Sequence, residues 1–77
     1  MRNDLILLRV EKGLSRKNLA EKLDVAEITI RKIEEGDRNP SPSMAKKFAL
    51  FYEKELAELF PEIFLITFDT KRSEVDV

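Results

Sequence analysis

Two short helical patterns, separated by only three residues, most restrict how this chain can fold. Residues 15–23 and 27–35 each repeat apolar side chains at helical spacing, and residues 24–26 lie between them. Ala20 is small, as is needed where two helices cross closely, and Val25 can fill the corner between them. Such a short connection predicts a rigid helix pair from which the outer face of the second helix projects.

The other periodic and capping signals predict an all-α fold, a compact five-helix bundle with a short extended C-terminal segment. Ser15 and Ser41 are good N-cap residues, and Pro42 suits the first turn of a helix. Gly13 and Gly36 are typical of left-handed helix ends. The expected helices lie at about residues 3–12, 15–23, 27–35, 41–52 and 55–60.

The character of the sequence changes at Pro61, so we expect a folded domain over residues 1–60 and a C-terminal extension over residues 61–77. Residues 62–68 are rich in β-branched and aromatic residues, which favours an extended conformation. Residues 69–77 are polar, which is typical of a mobile tail. The apolar part either folds back over the core or forms a homodimer contact. The possible dimer contacts are Ile63, Phe64, Leu65, Ile66 and Phe68.

The composition argues against an enzyme and against a bound metal or cofactor. The 77 residues include no cysteine and no histidine, which removes the usual zinc ligands and the most common general base. The 2 glycines do not form a phosphate-binding loop. No export signal is evident, and no segment approaches the roughly 20 apolar residues needed to cross a bilayer. We therefore expect a cytoplasmic protein with no enzymatic activity, cofactor, metal or small-molecule ligand.

Charge is unevenly distributed along the chain, whose formal net charge is −1. Residues 1–47 contain 11 Lys and Arg against 8 Asp and Glu, a net of +3, and residues 48–77 contain 3 against 7, a net of −4. A locally basic part is compatible with nucleic acid even when the total charge is negative. Such a difference is weak on its own, because charge runs are more often solvated faces.

A series of collinear motifs extends over about residues 5–60. They are Leu8-Arg9, Lys12-Gly13-Leu14-Ser15, Leu19-Ala20, Leu23-x-Val25, Ile30-x-x-Ile33-Glu34, Gly36, Asn39-Pro40-Ser41 and Leu56-x-x-Leu59-Phe60. Through these motifs the chain resembles the Cro/C1-type helix-turn-helix family, which includes the lambdoid phage repressors. The resemblance implies a five-helix DNA-binding domain over residues 1–60 that binds double-stranded operator DNA, usually as a homodimer, and acts as a repressor-like regulator of transcription.

The resemblance also implies the roles of individual residues. Ser15 and Arg16 open the second helix, where family members touch phosphate. The family often has Gln in place of Arg16, so Arg16 can hold phosphate but would support the third helix differently. Arg9 and Glu34 match a structural ion pair between the first and third helices; two separate solvated charges are the less favoured alternative. The full set of implied DNA-binding residues is Ser15, Arg16, Ala26, Glu27, Ile28, Thr29, Arg31, Lys32, Arg38 and Asn39.

Three residues depart from the family pattern. Asp24 stands where the turn glycine usually lies, although Asp tolerates left-handed geometry better than most residues. The resemblance implies that the helix at about residues 27–34 is the recognition helix, which reads operator DNA through the major groove. Ala26 replaces the usual Ser or Thr cap of this helix, which removes a hydrogen bond worth roughly 1 kcal/mol. Ile28 is apolar where relatives are often polar, so it either touches a thymine methyl group or packs on the second helix. The operator sequence therefore does not follow from the resemblance.

Two alternatives remain open from the sequence. Glu27 and Arg31 are four residues apart, so they either form a surface ion pair or take part in base recognition. The negative net charge and Glu27 on the recognition face also suit an antitoxin or antirepressor that acts mainly by binding a protein. A steep salt dependence of binding would favour DNA as the partner.

Overall fold

The computed structural model describes residues 1–64, in which five helices are joined by short connections and no strand occurs. Ser15 and Ser41 accept hydrogen bonds from the amides of Asn18 and Met44, which fixes the starts of two of these helices. The predicted all-α class and five helices are confirmed. The helices are α1 (Asn3–Glu11), α2 (Arg16–Leu23), α3 (Glu27–Glu35), α4 (Pro42–Tyr52) and α5 (Leu56–Leu59).

A single apolar core joins all five helices. Phe48 of α4 is fully buried at its centre, with the Tyr52 ring stacked at 6.3 Å and the Phe60 ring edge-on at 5.9 Å. The other buried apolar residues are Leu5, Leu19, Ala20, Leu23, Ile30, Ile33, Met44, Ala45 and Leu59.

The turn between α2 and α3 depends on one residue in a left-handed conformation. Asp24 has φ 58° and ψ 51°, and the amide of Val25 donates to the carbonyl of Ala20 at 3.0 Å. The prediction that Asp24 keeps the turn without a glycine is confirmed. Glu53 ends α4 in the same conformation, with φ 55°. Nothing in the sequence pattern indicated that second left-handed residue.

Residues 61–64 are helical, so the predicted extended conformation is wrong for residues 62–64. Pro61 starts this helical turn, and the carbonyl of Phe60 accepts hydrogen bonds from the amides of Ile63 and Phe64 at 3.1 and 3.0 Å. Ile63 and Phe64 are half-buried against the core, and this packing outweighs their intrinsic preference for strands. Leu65, Ile66 and Phe68, and the predicted tail over residues 69–77, lie outside the described residues.

Tyr52 is the one core residue whose polar atom is buried without a hydrogen-bond partner in residues 1–64. Burial is the main reason that the pKa of its hydroxyl rises to about 12, and the negative charge of Glu34 adds to the increase while Arg9 opposes it. Because the folded pKa exceeds the unfolded value of about 10, the unfolded chain ionises first as pH rises. The associated stability is complete below pH 10 and is lost as pH rises towards 12.

Replacing Tyr52 with Phe should therefore make the free energy of unfolding less sensitive to alkaline pH. The loss between about pH 10 and 12 amounts to at most about 3 kcal/mol for the native chain and should be absent in the variant. Urea unfolding of both proteins at pH 9 and at pH 11.5 measures the difference, and lysine titration is common to both. Equal losses in the two proteins would contradict this assignment.

Candidate nucleic-acid interface

The exposed side of α3 follows from its amphipathic sequence. Ile30, Ile33 and Glu34 are buried, so the positions between them on the helix circumference face solvent. Glu27, Ile28 and Arg31 together line one shallow depression on this outer side. Lys32 is exposed next to them. We call Glu27, Ile28, Arg31 and Lys32 the outer stripe of α3.

The charged groups of the outer stripe have no charged partner within residues 1–64. Glu27 and Arg31 lie one helical turn apart, yet no ion pair joins them. Of the two alternatives for this pair, the surface ion pair is not formed. Ile28 is 43% exposed, so it does not pack tightly on α2. These side chains are free to meet a ligand.

The other implied contact residues lie on a different side of α3. Thr29 is half-buried and lines a second depression with Arg38 and Asn39 of the loop between α3 and α4. Each residue of an α-helix is rotated by about 100° from the one before, so Thr29 and Arg31, two residues apart, point to nearly opposite sides. The structure therefore divides the implied residues into the outer stripe and a group around the α3–α4 loop.

Arg2 holds the α3–α4 loop in place, a role that the sequence analysis missed. Its Nη1 donates to the carbonyls of Ile33 and Arg38 at 3.0 and 3.4 Å, and its Nη2 donates to Asn39 Oδ1 at 2.8 Å. The same Nη2 forms an ion pair with Glu62 at 2.8 Å. These partners lie 31 to 60 positions away in the sequence, so no local pattern could identify Arg2. Asn39 is thus positioned by Arg2.

The helix starts near this surface differ in how their amides are capped. Ser15 Oγ accepts from the Asn18 amide at 3.0 Å and donates to Asn18 Oδ1 at 2.8 Å, so α2 is capped. Ala26 has the extended backbone of an N-cap, with φ −74° and ψ 145°, but it supplies no side-chain hydrogen bond. The expected absence of a cap at Ala26 is confirmed. The first amides of α3 are consequently available to solvent or to an anion.

Restoring the cap should stabilise the fold. Ala26→Thr is expected to raise the free energy of unfolding by about 1 kcal/mol, because a hydroxyl at this position can accept from the start of α3. Ala26→Val is the matched control, since valine has the shape of threonine without the oxygen. Thermal unfolding followed by circular dichroism measures both variants. Equal stability of the Thr and Val variants would show that the backbone at Ala26 does not allow the cap.

Glu34 connects α3 to two other helices through a fully buried carboxylate. Arg9 of α1 donates from Nε to Oε2 at 2.8 Å and from Nη2 to Oε1 at 3.2 Å, so the implied ion pair is present. Arg16 of α2 donates from Nε to the same Oε1 at 3.0 Å. Arg9 Nη1 also donates to the carbonyl of Leu14 at 2.9 Å. Both oxygens of Glu34 are thereby satisfied, as a buried charge requires.

Arg16 was expected at phosphate, but its side chain points to α3. Its Nη1 lies 3.9 Å from Glu35 Oε2, in addition to the bond from Nε to Glu34. Lys17, the next residue, is exposed. The expected support of the recognition helix by Arg16 is thus present, but the sequence did not identify Glu34 as its partner.

The cations of residues 1–64 fall into two groups. Those bonded within the fold include Arg2, Arg9 and Arg16, together with Lys47, whose Nζ donates to the carbonyl of Leu23 at 2.9 Å at the end of α2. Those that are exposed, with no ion pair or side-chain hydrogen bond in this part of the chain, are Lys12, Lys17, Lys22, Arg31, Lys32, Arg38, Lys46 and Lys54. The second group is available to an anionic partner.

The described part of the chain contains neither a metal-binding cluster nor a membrane-spanning helix. No group of three or more acidic side chains in residues 1–64 is arranged to hold a metal ion. None of the helices described is both long enough and apolar enough to span a membrane.

Comparison with known proteins agrees with this geometry. The helix-turn-helix family model matches residues 5–59, most of the chain. An uncharacterized HTH-type transcriptional regulator of Methanocaldococcus jannaschii is 37% identical over 60 residues, which cover 78% of this chain and 91% of the relative. The match to the family model includes most of α1, the whole of the other four helices and the outer stripe of α3.

Proposed function

Because this chain belongs to the Cro/C1-type helix-turn-helix family of DNA-binding transcription regulators, we propose that it is a repressor that reads operator DNA through the major groove. The observation that carries the proposal is the outer stripe of α3. This stripe projects from the α2–α3 helix pair and presents Arg31 and Lys32 with no ion pair or side-chain hydrogen bond to residues 1–64. A helix held in this way fits the major groove of B-form DNA.

We assign base recognition to three residues of the outer stripe. Arg31 has the reach and the donors to bind guanine O6 and N7. Ile28 is exposed and suits contact with a thymine methyl group. Glu27 repels phosphate, so it either accepts from a cytosine amino group or orients Arg31 once DNA is bound.

We assign backbone contacts to Lys32 of the outer stripe and to the residues that border the stripe. Lys32, Arg38 and Asn39 meet phosphate along the edge of the groove, and Thr29 lies beside them. The amides after Ser15 and Ala26 face the backbone at two helix starts, where the helix dipole favours an anion. Phosphate contacts orient the protein and carry no base information.

We propose that the protein binds DNA as a homodimer. One recognition helix covers about half of an operator, and two symmetric helices lie roughly 34 Å apart on one face of the duplex. Ile63 and Phe64 pack on the core of their own chain, which supports the fold-back alternative for these two residues. The other possible dimer contacts of the extension lie outside the described residues.

In-vitro selection from a random DNA pool tests base recognition by the outer stripe. The native chain, Arg31→Ala and Glu27→Gln are compared side by side. Arg31→Ala should cost about 1–3 kcal/mol on the preferred sequence while barely changing affinity for random DNA. Glu27→Gln should change the preferred sequence, because both of its proposed roles act on bases.

Lys32→Ala is the control for a phosphate contact within the same helix. It should weaken binding to all sequences together and reduce the salt slope by about one. Three identical selection profiles for the native chain, Arg31→Ala and Glu27→Gln would show that α3 does not read bases. The antitoxin or antirepressor alternative, acting on a protein partner, would then replace the proposal.

A further inference from the structure

We infer that Arg16 is a positioning residue that fixes the rotation of α3 through Glu34, and that it thereby determines which bases the outer stripe contacts. The inference rests on the proposed function, since it concerns how that function acquires its specificity. It assigns Arg16 a role different from the phosphate contact expected at the start of α2. Three features of the structure support it.

The first feature is the position of Arg16 at the start of a helix. Arg16 is the first residue of α2, and no acidic residue lies in the first turn of this helix. A cation is unfavourable there, because the N-terminal end of a helix carries a partial positive charge. The negative charges that offset this cost belong to another helix, since Arg16 contacts Glu34 and Glu35 of α3. Arg16 at this position therefore stabilises the junction between α2 and α3.

The second feature is the number of supports on the Glu34 carboxylate. Arg9 approaches from α1 and Arg16 from α2, and together they supply three hydrogen bonds of 2.8, 3.2 and 3.0 Å. One arginine can fix the distance between two helices and still allow α3 to turn about its own axis. Two arginines on different helices fix that rotation as well, because they hold the carboxylate from two directions.

The third feature is the proximity of Glu34 to the outer stripe. Arg31 and Glu34 are three residues apart, so their side chains are neighbours on the helix surface. The surface of a helix lies about 5–6 Å from its axis, so a rotation of about 10° moves each group there by about 1 Å. Specific contacts tolerate only about 0.5 Å of displacement. A small rotation of α3 therefore changes which base edge Arg31 can reach.

The chain already provides a better phosphate ligand beside Arg16. The Arg16 side chain is 27% exposed and its Nε is bonded to Glu34. Lys17 is exposed, with no ion pair in residues 1–64, and lies in the same first turn of α2. Lys17 can meet the DNA backbone without breaking the buried carboxylate cluster, so it is the matched control for Arg16.

The test compares the native chain, Arg16→Gln, Arg16→Lys and Lys17→Ala by in-vitro selection and by the salt dependence of affinity. Each protein is assayed where circular dichroism shows it to be fully folded. Arg16→Gln should shift the selected sequence and reduce discrimination at the base pairs beneath Arg31 by about fivefold or more, with the salt slope unchanged. Lys17→Ala should reduce the salt slope by about one and leave the selected sequence unchanged. If Arg16→Gln does not fold, Arg16→Lys decides, since it keeps the charge and loses the geometry of the guanidinium group.

Two results would overturn the inference while the proposed function stands. One is a loss of affinity in the Arg16 variants that is equal for all sequences and lowers the salt slope, which is the behaviour of a phosphate contact. The other is an unchanged selection profile with reduced thermal stability, which is the behaviour of a purely structural ion pair. Absence of salt-dependent DNA binding by the native chain would instead overturn the proposed function and the inference together.

Discussion

Replacing Glu34 with alanine is expected to lower the free energy of unfolding by about 3–5 kcal/mol, because two arginines would lose their buried counter-charge. Glu34 is fully buried, and the side chains of Arg9 and Arg16 are only 12% and 27% exposed, so water cannot readily replace the carboxylate. Small domains have stabilities at the lower end of about 5–15 kcal/mol. The variant should therefore be close to unfolding at 37 °C, as measured by thermal and urea denaturation.

Glu35→Ala is the control for this prediction. Glu35 is the next residue of α3, its side chain is 36% exposed, and it lies 3.9 Å from Arg16. Removal of such an exposed partner typically costs less than about 1 kcal/mol. If Glu34→Ala and Glu35→Ala were equally mild, the buried carboxylate would not be a main support of the α1–α2–α3 junction.

Ile33→Ala should damage folding before it damages DNA binding. Ile33 is 1% exposed in the core beneath α3, and its truncation should cost about 2–5 kcal/mol through lost burial and the cavity that remains. The folded fraction should keep the sequence preference of the native chain, because the outer stripe is unchanged. Urea unfolding, with DNA binding corrected for the folded fraction, separates the two effects.

Ile28→Ala, on the same helix, should have the opposite effect to Ile33→Ala, since it should change DNA recognition and leave stability nearly unchanged. Ile28 is 43% exposed, so its truncation should change stability by no more than about 0.5 kcal/mol while altering the preferred DNA sequence. An Ile33→Ala variant with native stability would mean that α3 is rotated relative to the structure described here. A stability loss in Ile28→Ala as large as in Ile33→Ala would lead to the same conclusion.

The helix pair could be predicted from the sequence because its determinants are local. Spacing of apolar residues, the Ser15 cap and the short connection all lie within about one turn of the elements they specify. Asp24 could also be assigned to a left-handed turn, since its tolerance of that geometry is a property of the residue itself. The exposed side of α3 followed from the same periodicity.

The contacts that join distant parts of the chain could not be predicted in this way. Arg2 binds the loop and Glu62, and Arg16 turns from the solvent side of α2 towards Glu34, because tertiary packing brings these groups together. Residues 62–64 show the same effect, since their strand propensity was outweighed by packing of Ile63 and Phe64 on the core. The sequence therefore identified the exposed side of α3, but it did not identify the long-range contacts that orient α3 and the loop after it.

The separation of α3 into a buried side and an outer stripe has an evolutionary consequence. Glu27, Ile28, Arg31 and Lys32 make no contact that the core depends on, so substitutions there can accumulate without unfolding the domain. Ile33 and Glu34, only a few residues further along the same helix, do not have that freedom. A duplicated copy of this chain could acquire a new operator through those four positions alone, while retaining every interaction that folds it.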